Sequence, residues 1–346
     1  MKFGQLAGPG SVVLAEAATP HAGHGEVVVR LAACGVCGTD LEKLRGNYRS
    51  AGILGHEPVG RISEVGPEVA QFSVGDRVFV HHHVPCYHCE VCARGDYTFC
   101  PTYSTTNLHP GGFSESFRVP AENVEREAVL RLDPKVRWDV GALLEPAGCA
   151  LTAIRRVGLP KESSVFVLGL GPVGILYARL AKALGARWVG GSEVAPLRRK
   201  VAEAGGVDAT VDPREEGAVK TLVDRATGGQ GVDLAVVAVG HPGVARDATR
   251  LVRRGGTVNF FGLPEAGSRL DADLQDLYLR GVRMVPSYAT VEPDIREVHR
   301  LVVEGTLRLE DLVTHRVPLD RLPEAFALAG RPDDSVKVVV TGPAYE

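Results

Sequence analysis

The stretch Val165-Phe166-Val167-Leu168-Gly169-Leu170-Gly171-Pro172-Val173-Gly174 decides the fold. An apolar run leads into a G-x-G-x-x-G and then into an apolar segment over 173–184 with helical spacing. That order predicts a strand, a tight turn and a helix. The glycines permit the turn and let the backbone approach a pyrophosphate, whose charge then sits against the helix N-terminus. Glu193 stands 19 residues beyond Gly174, near the end of the next expected strand. A carboxylate there hydrogen-bonds the adenosine ribose and repels a 2′-phosphate, favouring NAD over NADP. The plainer reading is a solvated loop carboxylate. Arg198 and Arg199 either border the adenine pocket or form an exposed helix face.

Outward from this motif, short apolar runs alternate with helical segments: strands over 165–168, 187–190, 209–211, 234–239 and 258–261, helices over 173–184, 197–204, 215–227 and 243–252. Such alternation predicts a doubly wound parallel sheet. Residues 1 to about 150 read differently, as short apolar runs such as Val27-Val28-Val29-Arg30-Leu31 and Arg77-Val78-Phe79-Val80 broken by Gly and Pro, which predicts an all-β body. A helix over 295–303 and a tail ending in Val336-Lys337-Val338-Val339-Val340 close the chain.

The chain has 346 residues, 45% hydrophobic and 23% charged, enough for two domains with cores. A net charge of -3 gives no electrostatic footprint for nucleic acid, so a small molecule is the expected ligand. The N-terminus lacks the pattern of a secretory signal, and the most apolar stretch is interrupted by glycines and charges, so a cytoplasmic protein outside the membrane is expected. Seven cysteines in a reducing compartment point to metal ligands rather than disulfides.

Cys86, Cys89, Cys92 and Cys100 stand at C-x2-C-x2-C-x7-C. Four thiolates so close suit one tetrahedral zinc that is coordinatively closed and therefore structural. A scattered set comprises Cys37, His56, Glu57 and Glu145; together they offer the mixed sulfur, nitrogen and oxygen ligands of an open catalytic zinc. Cys34 reads as a small core residue and Cys149 as packed in a helix after Glu145. The triplet His81-His82-His83 cannot all share one ion if it lies on a strand, where successive side chains point to opposite faces.

Cys37-Gly38-Thr39-Asp40, Gly55-His56-Glu57, the four-cysteine segment, Glu145-Pro146 and the glycine motif, in this order along the whole chain, resemble the zinc-containing medium-chain dehydrogenases, particularly the branch of sorbitol, threonine and related polyol dehydrogenases. The resemblance implies an α/β protein: a GroES-like β-rich catalytic domain over 1–150 and 293–346, with a zinc lobe at about 83–103, and a Rossmann domain over 151–292. It implies two zinc ions per subunit, with Cys37, His56 and Glu57 as catalytic ligands and Glu145 binding directly or through water. Thr39 would take the alcohol proton, Asp40 would support the ligands, and Glu193 with Arg198 would mark an NAD enzyme. The implied reaction is hydride transfer from a secondary alcohol to NAD, with a polyol or sugar alcohol leading, L-threonine second and a simple secondary alcohol third, in a homotetramer or, alternatively, a dimer. The alternatives are a zinc-free quinone reductase and a non-catalytic NAD-binding structural or sensor protein. Three departures stand out. Glu42 occupies the place of a histidine in threonine dehydrogenases, residues 281–288 contain no counterpart of the Arg-Tyr pair of animal sorbitol dehydrogenases, and the link from Cys37 to His56 is short, as for a trimmed loop. His83 falls where threonine dehydrogenases carry a histidine near the substrate.

Overall fold

A computed structural model describes residues 1–46 and 53–345. A hairpin of β1 (Lys2–Leu6) and β2 (Val12–Glu16) opens the chain. Strands β3 (Val27–Gly35), β4 (Pro58–Val65), β5 (Arg77–Val80), β6 (Ser116–Val119) and β7 (Val129–Arg131) then build most of a seven-stranded sheet. Five helices lie among and after them: α1 (Gly38–Leu44), α2 (Glu90–Ala93), α3 (Ala121–Glu125), α4 (Trp138–Gly141) and α5 (Leu144–Val157). The expectation of an all-β body is therefore corrected. At α1 the Asp40 carboxylate accepts the Cys37 backbone N–H at 3.1 Å, one half of a capping box that starts a helix in a Gly-rich segment. In α5, ten of fourteen residues are buried, so this helix belongs to the core.

The second unit runs β8 (Ser164–Leu168), α6 (Pro172–Ala183), β9 (Trp188–Ser192), α7 (Pro196–Ala204), β10 (Ala209–Val211), α8 (Ala218–Thr227), β11 (Val232–Val237), α9 (Pro242–Leu251), β12 (Val252–Phe260), α10 (Leu274–Arg280) and β13 (Arg283–Pro286). The strands are all parallel in the order β10-β9-β8-β11-β12-β13. The order reverses direction between β8 and β11, the switch point at which ligands bind in such sheets. All five residues of β8 are buried, as a central strand covered on both faces requires. Strand β13 was not among the strands expected from sequence, because its exposed, mixed residues show no alternation.

The chain ends with α11 (Glu292–Val303), β14 (Val313–Pro318), α12 (Leu322–Ala329) and β15 (Lys337–Thr341). Strand β15 pairs antiparallel with β3, Val339 opposite Gly35, so the last strand completes the first sheet. One hydrophobic cluster runs through both units, from Ala33 and Val59 through Leu144, Ala147 and Leu151 to Val165, Ile175 and Val339. Helix α5 packs on α6 and α11 and joins the two sheets. No helix among the described residues is long and apolar enough to cross a membrane.

Candidate active site

The four-cysteine segment folds as a short loop around α2. Sulfur separations are 3.6 Å for Cys100 to Cys86, 3.8 Å for Cys89 to Cys100 and 3.9 Å for Cys86 to Cys92. Four sulfurs placed 2.3 Å from a central zinc are about 3.8 Å apart, so the set fits the ion; a disulfide would need roughly 2.05 Å. The Cys86 N–H donates to Cys100 Sγ at 3.4 Å and the Cys89 N–H to Cys86 Sγ at 3.3 Å, bonds that support negative sulfur. Although burial opposes it, donors from Cys86 and Thr102 bring the Cys100 thiol down to about 6.

Cys37, His56 and Glu57 come together although two segments supply them: the end of β3 leads to Cys37, the N-cap of α1, and the segment before β4 carries His56 and Glu57. One ligand atom from each lies within 4.8 Å of the others. Asp40 is fully buried; its carboxylate accepts the Gly55 N–H at 3.2 Å and stands 3.6 Å from His56 Nδ1. Burial pushes this carboxyl up, but His56, Lys43 and the Cys37 N–H outweigh it and hold it low. An ionised Asp40 sets the His56 ring and leaves the other ring nitrogen for a metal, the usual support of a histidine ligand. Thr39 lies half-buried on the first turn of α1. Glu42, on the same helix, accepts Arg45 at 2.6 Å. Residues 47–52, where the short link between Cys37 and His56 falls, lie outside the described residues.

Sequence reading missed the partner of Glu57. Lys337, the first residue of β15 and 2% exposed, places its Nζ 2.8 Å from Oε1 and 2.6 Å from Oε2 of Glu57. Burial raises the Glu57 carboxyl, and Lys337 stays protonated because Glu57 and Cys37 outweigh its own desolvation. Gly35 makes the pair possible: a Cβ there would stand 1.8 Å from Glu57 Oε2 and 2.8 Å from Lys337 Cε. The available signal was a single lysine in the apolar run Val336 to Val340.

Glu145 opens α5 and is 6% exposed. It is not within the tight Cys37 group; its carboxylate groups instead with His81 and His82. Cys149, one turn further along α5 as expected, donates its thiol to Glu145 Oε1 at 3.5 Å. The histidine triplet begins after β5 ends at Val80, so strict alternation does not govern it: His81 and His82 converge, while His83 bonds the Thr106 carbonyl at 2.6 Å.

In the glycine turn, Gly171 is the N-cap of α6 and Pro172 and Val173 form its first turn. A Cβ on Gly174 would stand 2.0 Å from the Gly169 carbonyl, so only glycine lets α6 begin this close to β8. Glu193 follows β9, is 7% exposed and accepts the Ala195 N–H at 3.1 Å, which removes the reading as a solvated loop residue. Arg198 reaches back to the Ser335 carbonyl at 3.1 Å, and Arg199 bonds the Glu193 carbonyl at 2.5 Å.

Comparison with known proteins agrees with this arrangement. Residues 23–127 match the alcohol dehydrogenase GroES-like domain and residues 172–304 match the zinc-binding dehydrogenase family. The chain is 30% identical to the erythritol/L-threitol dehydrogenase of Mycolicibacterium smegmatis over 96% of this chain and 94% of that one. It is 33% identical to the L-threonine 3-dehydrogenase of Pyrococcus abyssi over 91% of each. The crystal structure of 2R,3R-butanediol dehydrogenase from Bacillus subtilis superposes with a TM-score of 0.86 at 27% identity, over 98% of this chain and 99% of that one. With two metal-ligand sets, a dinucleotide turn and likeness along its whole length, the chain belongs to the zinc-binding medium-chain dehydrogenase/reductase family.

Proposed function

We propose that this protein oxidises a secondary alcohol, with a polyol or sugar alcohol as its substrate class, using NAD as acceptor. The observation that carries the reading is the convergence of Cys37, His56 and Glu57 beside a buried Asp40 and Lys337. Those three would hold the catalytic zinc, with Glu145 close by; Cys86, Cys89, Cys92 and Cys100 would hold the structural one. When bound, the zinc supplies Lewis acidity toward the substrate oxygen and NAD accepts the hydride. The chain's own groups do the rest. Asp40 fixes His56, and Lys337 balances the charge of Glu57 so that the carboxylate stays in place without water. The Thr39 hydroxyl takes the alcohol proton toward solvent. The turn from Gly169 to Gly174 receives the pyrophosphate, while Glu193 and Arg198 bound the adenosine end.

Polyol leads because two of the relatives are named for vicinal diols or tetritols. L-Threonine is the second reading, favoured by the similarity to a threonine dehydrogenase; a simple secondary alcohol is third. A homotetramer and a cytoplasmic location belong to the same proposal. The test is NADH formation, followed in the near ultraviolet, by zinc-loaded protein with polyols, aldoses, L-threonine and simple secondary alcohols, repeated with NADP. Turnover of polyols with NAD is expected; turnover confined to L-threonine would transfer the assignment to the second reading, and silence across the panel would remove the enzymatic one.

A further inference from the structure

Beside the Cys37 group lies a second convergence of donors. His81, His82 and Glu145 each present one ligand atom, all within 4.8 Å of one another. The two histidines are held from behind. His81 Nδ1 makes a 2.6 Å hydrogen bond to Glu292 Oε1, and the Tyr87 hydroxyl donates to the other oxygen of Glu292. Glu292 is 3% exposed and sits in the first turn of α11. Asn123, fully buried, donates to the carbonyls of both His81 and His82 at 3.0 and 3.2 Å, which fixes the backbone that carries the rings. The His82 ring is packed between those of His56 and His83, with centroids 5.1 and 4.0 Å away.

This support leaves an unsatisfied centre. With Nδ1 of His81 engaged by Glu292, the Nε2 of that ring is buried without a hydrogen-bond partner, and His82 Nδ1 is buried without one too. Two buried ring nitrogens without partners stand beside the Glu145 carboxylate, and leaving such groups unmet in a protein interior costs stability that a bound cation would restore. A carboxylate, a histidine and an open lone pair in sequence is the arrangement that orients a metal-binding histidine. Two imidazoles and one carboxylate match a borderline divalent ion such as zinc or cobalt, in contrast to the all-oxygen sets of calcium and magnesium.

We infer that His81, His82 and Glu145 form a third divalent-cation site, adjoining the Cys37, His56 and Glu57 site and positioned by Glu292 and Tyr87. It differs from both zinc sites of the family in containing no sulfur, and its existence does not depend on which alcohol is oxidised. Glu145 then serves this site as its carboxylate ligand, and the occupied set has open positions for water or a substrate oxygen.

The experiment uses the full-length protein saturated with cobalt, passed through a desalting column and counted for metal per subunit, with visible and near-ultraviolet spectra recorded at each equivalent. Three ions per subunit are expected, one for each donor group. The third and weakest should bring weak visible bands and no thiolate-to-cobalt band in the near ultraviolet. His81→Gln and His82→Gln should each return the count to two with the thiolate bands intact. Glu292→Gln, which keeps all three ligands, should weaken the third ion about 10- to 100-fold. Cys37→Ser should also remove one ion, but together with its thiolate band, which separates failure of the neighbouring site from failure of this one. Saturation of the unaltered protein at two ions, or a third ion that persists in both histidine variants, overturns the proposal.

Discussion

The cysteine lobe and the Cys37 site are both candidate metal-ligand sets, yet they are built in opposite ways. The lobe takes all four ligands from residues 86–100, and two of its backbone N–H groups stabilise the sulfurs it holds. The Cys37 site takes ligands from two segments, its supporting acid from α1 and its counter-charge from β15, with Glu57 and Lys337 separated by 280 positions in the chain. A local site costs little chain entropy to close and needs no other element. A dispersed site forms only when the N-terminal and C-terminal strands of the first sheet have met, and it leaves a charge buried if Glu57 or Lys337 loses its partner.

The largest expected effect falls at the dispersed site. Cys37→Ala should reduce kcat by at least about 10^4-fold, roughly 5 kcal/mol of transition-state stabilisation, while the melting temperature changes little. Normal turnover in a variant shown to lack that metal would remove the catalytic role assigned to the site. Next, Lys337→Met leaves the Glu57 carboxylate buried without its partner and should destabilise the fold by about 3–5 kcal/mol, read from urea unfolding. Adding Glu57→Gln to it should restore most of that loss, since no charge then remains to be paired. If the double variant is as unstable as the single one, the ion pair is not what ties β15 to the site.

At the lobe the effect should be smaller and purely structural. Cys89→Ala should lower stability by about 2 kcal/mol, several degrees in melting temperature, and abolish the further drop that a strong chelator causes in the parent protein. A parent protein whose melting temperature ignores the chelator would contradict the closed zinc site. Smallest is Glu193→Gln, outside both sites, which should narrow the preference for NAD over NADP by about tenfold, near 1.4 kcal/mol, in the ratio of kcat/KM values. An unchanged ratio would place cofactor choice elsewhere.

The same contrast explains what was legible before folding. Gly169, Gly171 and Gly174 are informative in sequence because a tight turn and a close helix approach demand glycine at fixed spacing. Cys86 to Cys100 are informative because a tetrahedral ion demands four thiols within one short loop. A helix after Glu145 is legible, but its extent is not, since Gly148 and Pro146 look like breakers until the burial of Leu144, Ala147 and Leu151 makes them packing residues. The His81 and His82 pair was read through strand alternation, which lapses where β5 stops at Val80.

Periodicity, glycine geometry and cysteine spacing are local properties of the chain, so the two-part architecture, the dinucleotide turn and the four-cysteine cluster are legible before folding. It takes the folded chain to show that Lys337 neutralises Glu57, that Gly35 makes room for them, and that Glu145 faces His81 and His82 with Glu292 behind. These are pairings of buried charges and lone pairs contributed by distant segments. No spacing rule specifies them, because they follow from which side chains the folded core leaves without water.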